Sequence, residues 1–185
     1  MKPELKAIDA LQRANSESLA FYPLAALEED LERGRLVACE ENGELAGYLW
    51  HGPVRPGRDI TIYQACVDYQ ARRRTLGLGM VEELEQLAEL AGATGIRLTC
   101  GAELEANAFW SAAGFYCTAV DQGGRRRARD LNRYRIDLQP TLELATAVEP
   151  STKPTDYAGF NADRRAKLAQ ASRFSRTHYA RGGHQ

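Results

Sequence analysis

Residues Arg72 to Met80 read RRRTLGLGM: three arginines, then Gly77 and Gly79 spaced as G-x-G, then a long segment of helical periodicity. The β-branched and aromatic run ITIYQACVDY stands just before them and reads as a central strand. A strand that stops at a glycine-rich turn and restarts as a helix presents unpaired backbone amides at the helix N-terminus, which is an anion site. Gly77 and Gly79 would remove side chains that hold a phosphate away from those amides. Arg72, Arg73 and Arg74 would add charge-assisted contacts. The ligand this predicts is a pyrophosphate. A plain strand-to-helix turn with a solvated arginine edge is the other reading of the same residues.

Two better-known phosphate loops do not fit. A Walker loop needs Lys and Ser/Thr after the last glycine, and Met80 and Val81 stand there. A dinucleotide fingerprint needs a third glycine where the chain has Glu82, in an early strand-helix-strand unit. Working outward, Leu5, Ile8 and Leu11 predict a first helix. Pro23, the Leu24, Leu27 and Leu31 face, and Gly34 predict a second. RLVACE and ELAGYLWHG flank Asn42-Gly43, which predicts a hairpin with positive φ at both turn residues. Downstream of the opening motif the order is the helix VEELEQLAELAG, the strand IRLTC, the short helix ANAFWSAAGF, the strand FYCTAV, the basic turn DQGGRRRARD and the strand RYRIDL. This is a mixed α/β domain over residues 1–139. Residues 140–185 change composition and read as a proline-containing linker and a basic C-terminal arm.

Composition excludes several classes. Charged residues at 26% and hydrophobic residues at 44% are those of a globular chain, and no apolar run approaches a membrane span. The start lacks the basic cap and apolar block of a secretory signal, so a cytoplasmic protein is expected. Cys39, Cys66, Cys100 and Cys117 are spread singly, without metal spacing, and are expected to be buried reduced thiols. The net charge of −1 hides an asymmetry: residues 1–120 carry 11 Lys and Arg against 18 Asp and Glu, while residues 121–185 carry 13 against 7. The body is acidic and the end basic.

The stretch Arg74-Thr75-Leu76-Gly77-Leu78-Gly79 resembles the R/Q-x-x-G-x-G/A coenzyme A loop of the GNAT acyltransferases, and Phe109-Trp110-Ser111-Ala112-Ala113-Gly114-Phe115 resembles that family's F-Y-x-x-x-G-F landmark. The resemblance implies a GNAT fold, α/β (α+β), with a mixed central sheet whose middle strands splay apart between flanking helices. It implies acetyl-CoA as cofactor, with its pantetheine arm paired to Ala65 through Tyr69, Val67 among them, and its pyrophosphate held by Arg72, Arg73, Arg74, Thr75, Leu76, Gly77, Leu78, Gly79 and Met80.

The chain departs from the family at one reacting position. The tyrosine that protonates the leaving thiolate aligns with Trp110, whose indole gives up no proton near neutral pH. Trp110 then becomes a wall of the thiol end. Tyr116 is the nearest phenol and the candidate acid, or else an ordinary strand residue. Asn107, one turn before Trp110, is a candidate cofactor contact or a helix cap. Asp68 is the candidate base, with Glu103 and Glu105 behind it, each also readable as a solvated acid. Two functions follow. The first is N-acetyl transfer to a small-molecule or protein amine by direct attack in a ternary complex. The second is a GNAT-like module brought to DNA or RNA by its basic end, Arg125 to Arg127 included. No membrane partner is expected, and a homodimer is the oligomer to look for.

Overall fold

The computed structural model describes residues 3–20, 22–123 and 129–138, all within one unit, Met1–Val148. Two helices, α1 (Pro3–Ala14) and α2 (Leu24–Glu32), precede the hairpin of β1 (Leu36–Glu41) and β2 (Glu44–His51). Then come β3 (Asp59–Val67), a 3-10 turn (Tyr69–Ala71), α3 (Leu76–Leu90), β4 (Gly95–Gly101), α4 (Ala106–Ala112), β5 (Tyr116–Asp121) and β6 (Leu131–Asp137). The strands form one sheet in the order β1-β2-β3-β4-β6-β5, in which β3 and β4 are the parallel pair and the other neighbours run antiparallel.

Each face of the sheet has its own core. Leu5, Ile8 and Leu11 of α1 and Leu27 of α2 bury against Tyr48 and Trp50 of β2 and Cys66 of β3. On the other face Met80, Val81, Leu84 and Ala88 of α3 and Trp110 of α4 bury against Leu49, Ile60, Ile62, Ile96 and Leu98. The helical spacing of those α3 residues is the reason this segment coils as it does, and truncating Leu84 to Ala should cost about 2–5 kcal/mol. The hairpin turn forms as predicted, with φ of 56° at Asn42 and 87° at Gly43.

One irregularity shapes the middle of the sheet. On β2, Trp50 faces Gln64 while the next residue, His51, faces Ile62, so Tyr63 is an extra residue in β3. This bulge reverses the alternation. Ile60 and Ile62 face α3, whereas Gln64, bonded to Tyr48, and Cys66 face the other core. It also bends β3 away from β4. The two strands pair only at Asp59–Gly95, Ile60–Ile96 and Thr61–Arg97, and beyond that they part. Below this junction a slot opens between residues 62–67 and 98–101.

Three expectations need correction. β3 stops at Val67, because Asp68 turns the chain by accepting the Gln70 N–H at 2.9 Å. α3 starts at Leu76, so Gly77 and Gly79 lie inside its first turn and not in a preceding loop. Cys117 is exposed on the edge strand β5, while Cys66 and Cys100 are buried and Cys39 half-buried. The boundary at residue 139, the arm beyond it and Arg125 to Arg127 lie outside the described residues.

Candidate active site

The slot opens at the N-terminus of α3, and local backbone geometry explains what that terminus presents. Its capping residue, Thr75, gives no side-chain cap, and its first turn has no acid. The first helical bond from this end runs from the Gly79 N–H to the Thr75 carbonyl at 2.9 Å. The amides of Leu76, Gly77 and Leu78 therefore have no acceptor within the helix, and the positive end of the dipole is uncompensated. Arg73 and Thr75 both adopt the left-handed region, at φ of 64° and 63°. Alternation of this kind turns successive N–H groups to one side, the backbone shape in which anions are often held. A β-branched threonine held there costs about 1–2 kcal/mol.

The two glycines do different things. A Cβ on Gly77 would sit 3.1 Å from the Phe109 ring, so this glycine lets α4 close on α3. A Cβ on Gly79 would meet nothing within 4 Å, and its amide already belongs to the helix. Met80 turns its side chain into the core. The exposed Leu78 and half-buried Leu76 flank the free amides.

The three arginines divide as well. Arg72 donates to the Val67 carbonyl at 3.2 Å and to Asn15 Oδ1 at 2.7 Å, and lies 5.3 Å over the Tyr69 ring. Arg74 pairs with Glu41 at 2.5 Å. Among the described residues Arg73 makes no such contact, and of the three it is the cation left without a partner there. Its position, and the left-handed turns beside it, had no signal in the sequence beyond the arginine run itself.

Asn107 is occupied by the fold. Its Nδ2 donates to the carbonyls of Leu104 at 2.6 Å, Gly101 at 2.8 Å and Ala102 at 3.2 Å, and its Oδ1 accepts from Asn132 at 2.9 Å and Tyr134 at 3.1 Å. That leaves nothing for a cofactor, and the helix cap is Glu105. Trp110, 6% exposed, stacks edge-on with Phe109 and Phe115 in the core. The structure separates Tyr116 from the slot, since β6 lies between β5 and β4 and puts the phenol two strands away, roughly 10 Å. Its hydroxyl donates to Asp137 at 2.6 Å and accepts from Arg135 at 3.2 Å. A general acid must sit within hydrogen-bond reach of the atom it protonates, so Tyr116 is corrected to an edge-strand residue.

Asp68 ends β3 at the slot, but one carboxylate oxygen caps the 3-10 turn. The Glu103 carboxylate folds back to within 3.1 Å of where a Cβ on Gly101 would stand, and pairs with Arg129 at 3.3 Å.

Comparison with known proteins agrees with this architecture. Residues 5–115 match the acetyltransferase (GNAT) family. Among solved structures, Ard1 from Thermoplasma volcanium superposes with a TM-score of 0.63 at 17% identity, covering 73% of this chain and 93% of its own. The ribosomal-protein-S18-alanine N-acetyltransferase from Escherichia coli gives 0.60 at 16%, covering 83% and 96%. An aminoglycoside 6′-N-acetyltransferase solved with coenzyme A gives 0.63 at 16%, covering 75% and 93%. At such identities the likeness is one of fold. No curated protein matches the chain in sequence. Among the described residues no helix is long and apolar enough to cross a membrane.

Proposed function

Because the chain belongs to the acetyltransferase (GNAT) family, and so is an acetyl-CoA-dependent N-acyltransferase, we infer that it moves the acetyl group to its amine by direct attack within a ternary complex. One observation carries this reading: the splay of β3 from β4 opens at the end where α3 presents three amides with no acceptor in the helix, beside Arg73. Acetyl-CoA supplies an acetyl group activated as a thioester. The amides of Leu76, Gly77 and Leu78, with Arg73, would hold its pyrophosphate. The edge of β3 that faces the slot over Ala65–Val67, where the Val67 carbonyl already accepts from Arg72, would hydrogen-bond the pantetheine amides through its other backbone groups, as a neighbouring strand would.

The sparse side-chain chemistry is then intelligible. The amine nitrogen attacks the thioester carbon, the C–N bond forms, the C–S bond breaks and the nitrogen loses a proton to water. A thiolate with a pKa near the ordinary thiol value of about 8.5 can leave unprotonated, so the missing acid at Trp110 carries little penalty. Asp68, half-buried just after β3, stands at the pyrophosphate end of the arm and not at its thiol, which leaves the amine proton to water.

Calorimetric titration with acetyl-CoA, followed by thiol release in the presence of primary amines, tests the reading. Absence of acetyl-CoA binding by the folded protein would overturn it. The nucleic-acid reading has no observation in its favour among the described residues.

A further inference from the structure

The face of β4, β6 and β5 that points away from α3 carries three arginines, and their surroundings differ. Arg135 donates through Nε to Asp59 at 3.2 Å and also pairs with Asp137. Arg133 pairs with Asp121 at 2.8 Å. Arg97 has no carboxylate within ion-pair distance among the described residues. Its one bond uses Nε–H, which donates to Thr61 Oγ1 at 3.0 Å, so both terminal nitrogens keep their donors. Arg97 is the one of the three with no direct ion pair among the described residues; Asp59, bonded to Arg135, acts on it only at longer range.

Its position matters more than its charge. Thr61–Arg97 is the last pair before the strands part, so the exposed guanidinium spans the closed end of the slot. A pantetheine arm extended along β3 from the α3 terminus covers about five strand residues, or ~16 Å, which brings its thiol back from Val67 to the level of Ile62 and Tyr63. The core fills the α3 side at that level with Ile62 and Leu98, while Arg97 and Thr99 are exposed on the other side. An incoming amine must therefore arrive on the face where Arg97 lies.

We propose that Arg97 reads the acyl acceptor, and that the acceptor is an amine bearing a carboxylate close to its nitrogen, as in a free amino acid or an acidic chain end. This rests on the acetyltransfer reading. Two N–H groups of a guanidinium meet a carboxylate side by side, and an acceptor lacking one leaves them unmatched. Arg97 is a specificity residue here and takes no part in bond making.

Two measurements test it on the full chain. In thiol-release assays with L-alanine and L-alaninamide, L-aspartate and L-aspartic diamide, the acids should show at least tenfold higher kcat/KM. Arg97→Ala should erase that difference through KM and leave the acetyl-CoA Kd unchanged, with Arg97→Lys in between. In saturation-transfer NMR on the coenzyme A complex, N-acetyl-L-alanine should bind and its amide should not, and the preference should vanish in Arg97→Ala. Equal handling of acids and amides, equal losses for both in Arg97→Ala, or no binding of either N-acetyl probe would overturn the proposal. Failure of acetyl-CoA to bind at all would strike the acetyltransfer reading instead.

Discussion

Replacing Asn107 with alanine separates a structural role from a cofactor contact. The side chain has two N–H hydrogens, engaged best with Leu104 and Gly101, and an oxygen that accepts from Asn132 and Tyr134. Four bonds at about 0.5–1.5 kcal/mol each, half-buried, put the loss near 3 kcal/mol. With a urea slope of about 2 kcal/mol/M for a domain of this size, the midpoint should fall by ~1.5 M. Acetyl-CoA affinity of the folded variant should change less than tenfold, because the amides at the α3 terminus do not involve Asn107. Urea unfolding and calorimetry at low temperature measure both quantities. An unchanged midpoint with cofactor affinity lost would refute the reasoning, since it would make Asn107 the ligand contact that its sequence position suggests.

Gly79→Ala should raise stability by about 0.5–1 kcal/mol, because the site is helical, open and has its amide paired, and acetyl-CoA affinity should move less than threefold. Thermal melts and calorimetry check this, and a large loss of affinity would show that the cofactor crosses that surface. Tyr116→Phe should keep turnover within twofold in thiol-release assays; a hundredfold loss would restore it as the acid. Burial pushes the Cys39 and Cys66 thiols from near 9 up to about 11, with Glu41 and Glu83 adding to the rise at Cys39 and Asp68 at Cys66. The folded state then holds protons that the unfolded chain releases, so their contribution is intact below pH 9 and is lost as pH rises to about 11. Denaturant melts across that range should show the decline, and DTNB at neutral pH should label Cys117 first in the native protein.

Periodicity and turn chemistry are local, and they determined most of the architecture. The Asn42-Gly43 hairpin, the apolar face of α3, the short helix before Gly114 and the order of elements follow from residues near one another in the chain. The glycine- and arginine-rich start of α3 was legible for the same reason, since its residues stand in consecutive positions. What each residue does there was not. Only the packing of α4 onto α3 shows that Gly77 accommodates Phe109, and only the reach of Glu41 and Asn15 from distant segments occupies Arg74 and Arg72, with no such partner for Arg73 among the described residues. Strand order is the clearest case. Tyr116 follows Gly114 by two positions, which in sequence places it beside the landmark helix, yet β6 inserts between β5 and β4 and carries it away from the slot. The bulge at Tyr63 and the cation at Arg97 depend on which residue of one strand faces which residue of another. That register is set by pairing across the sheet, between segments with no proximity in the chain, so only the tertiary structure could decide it.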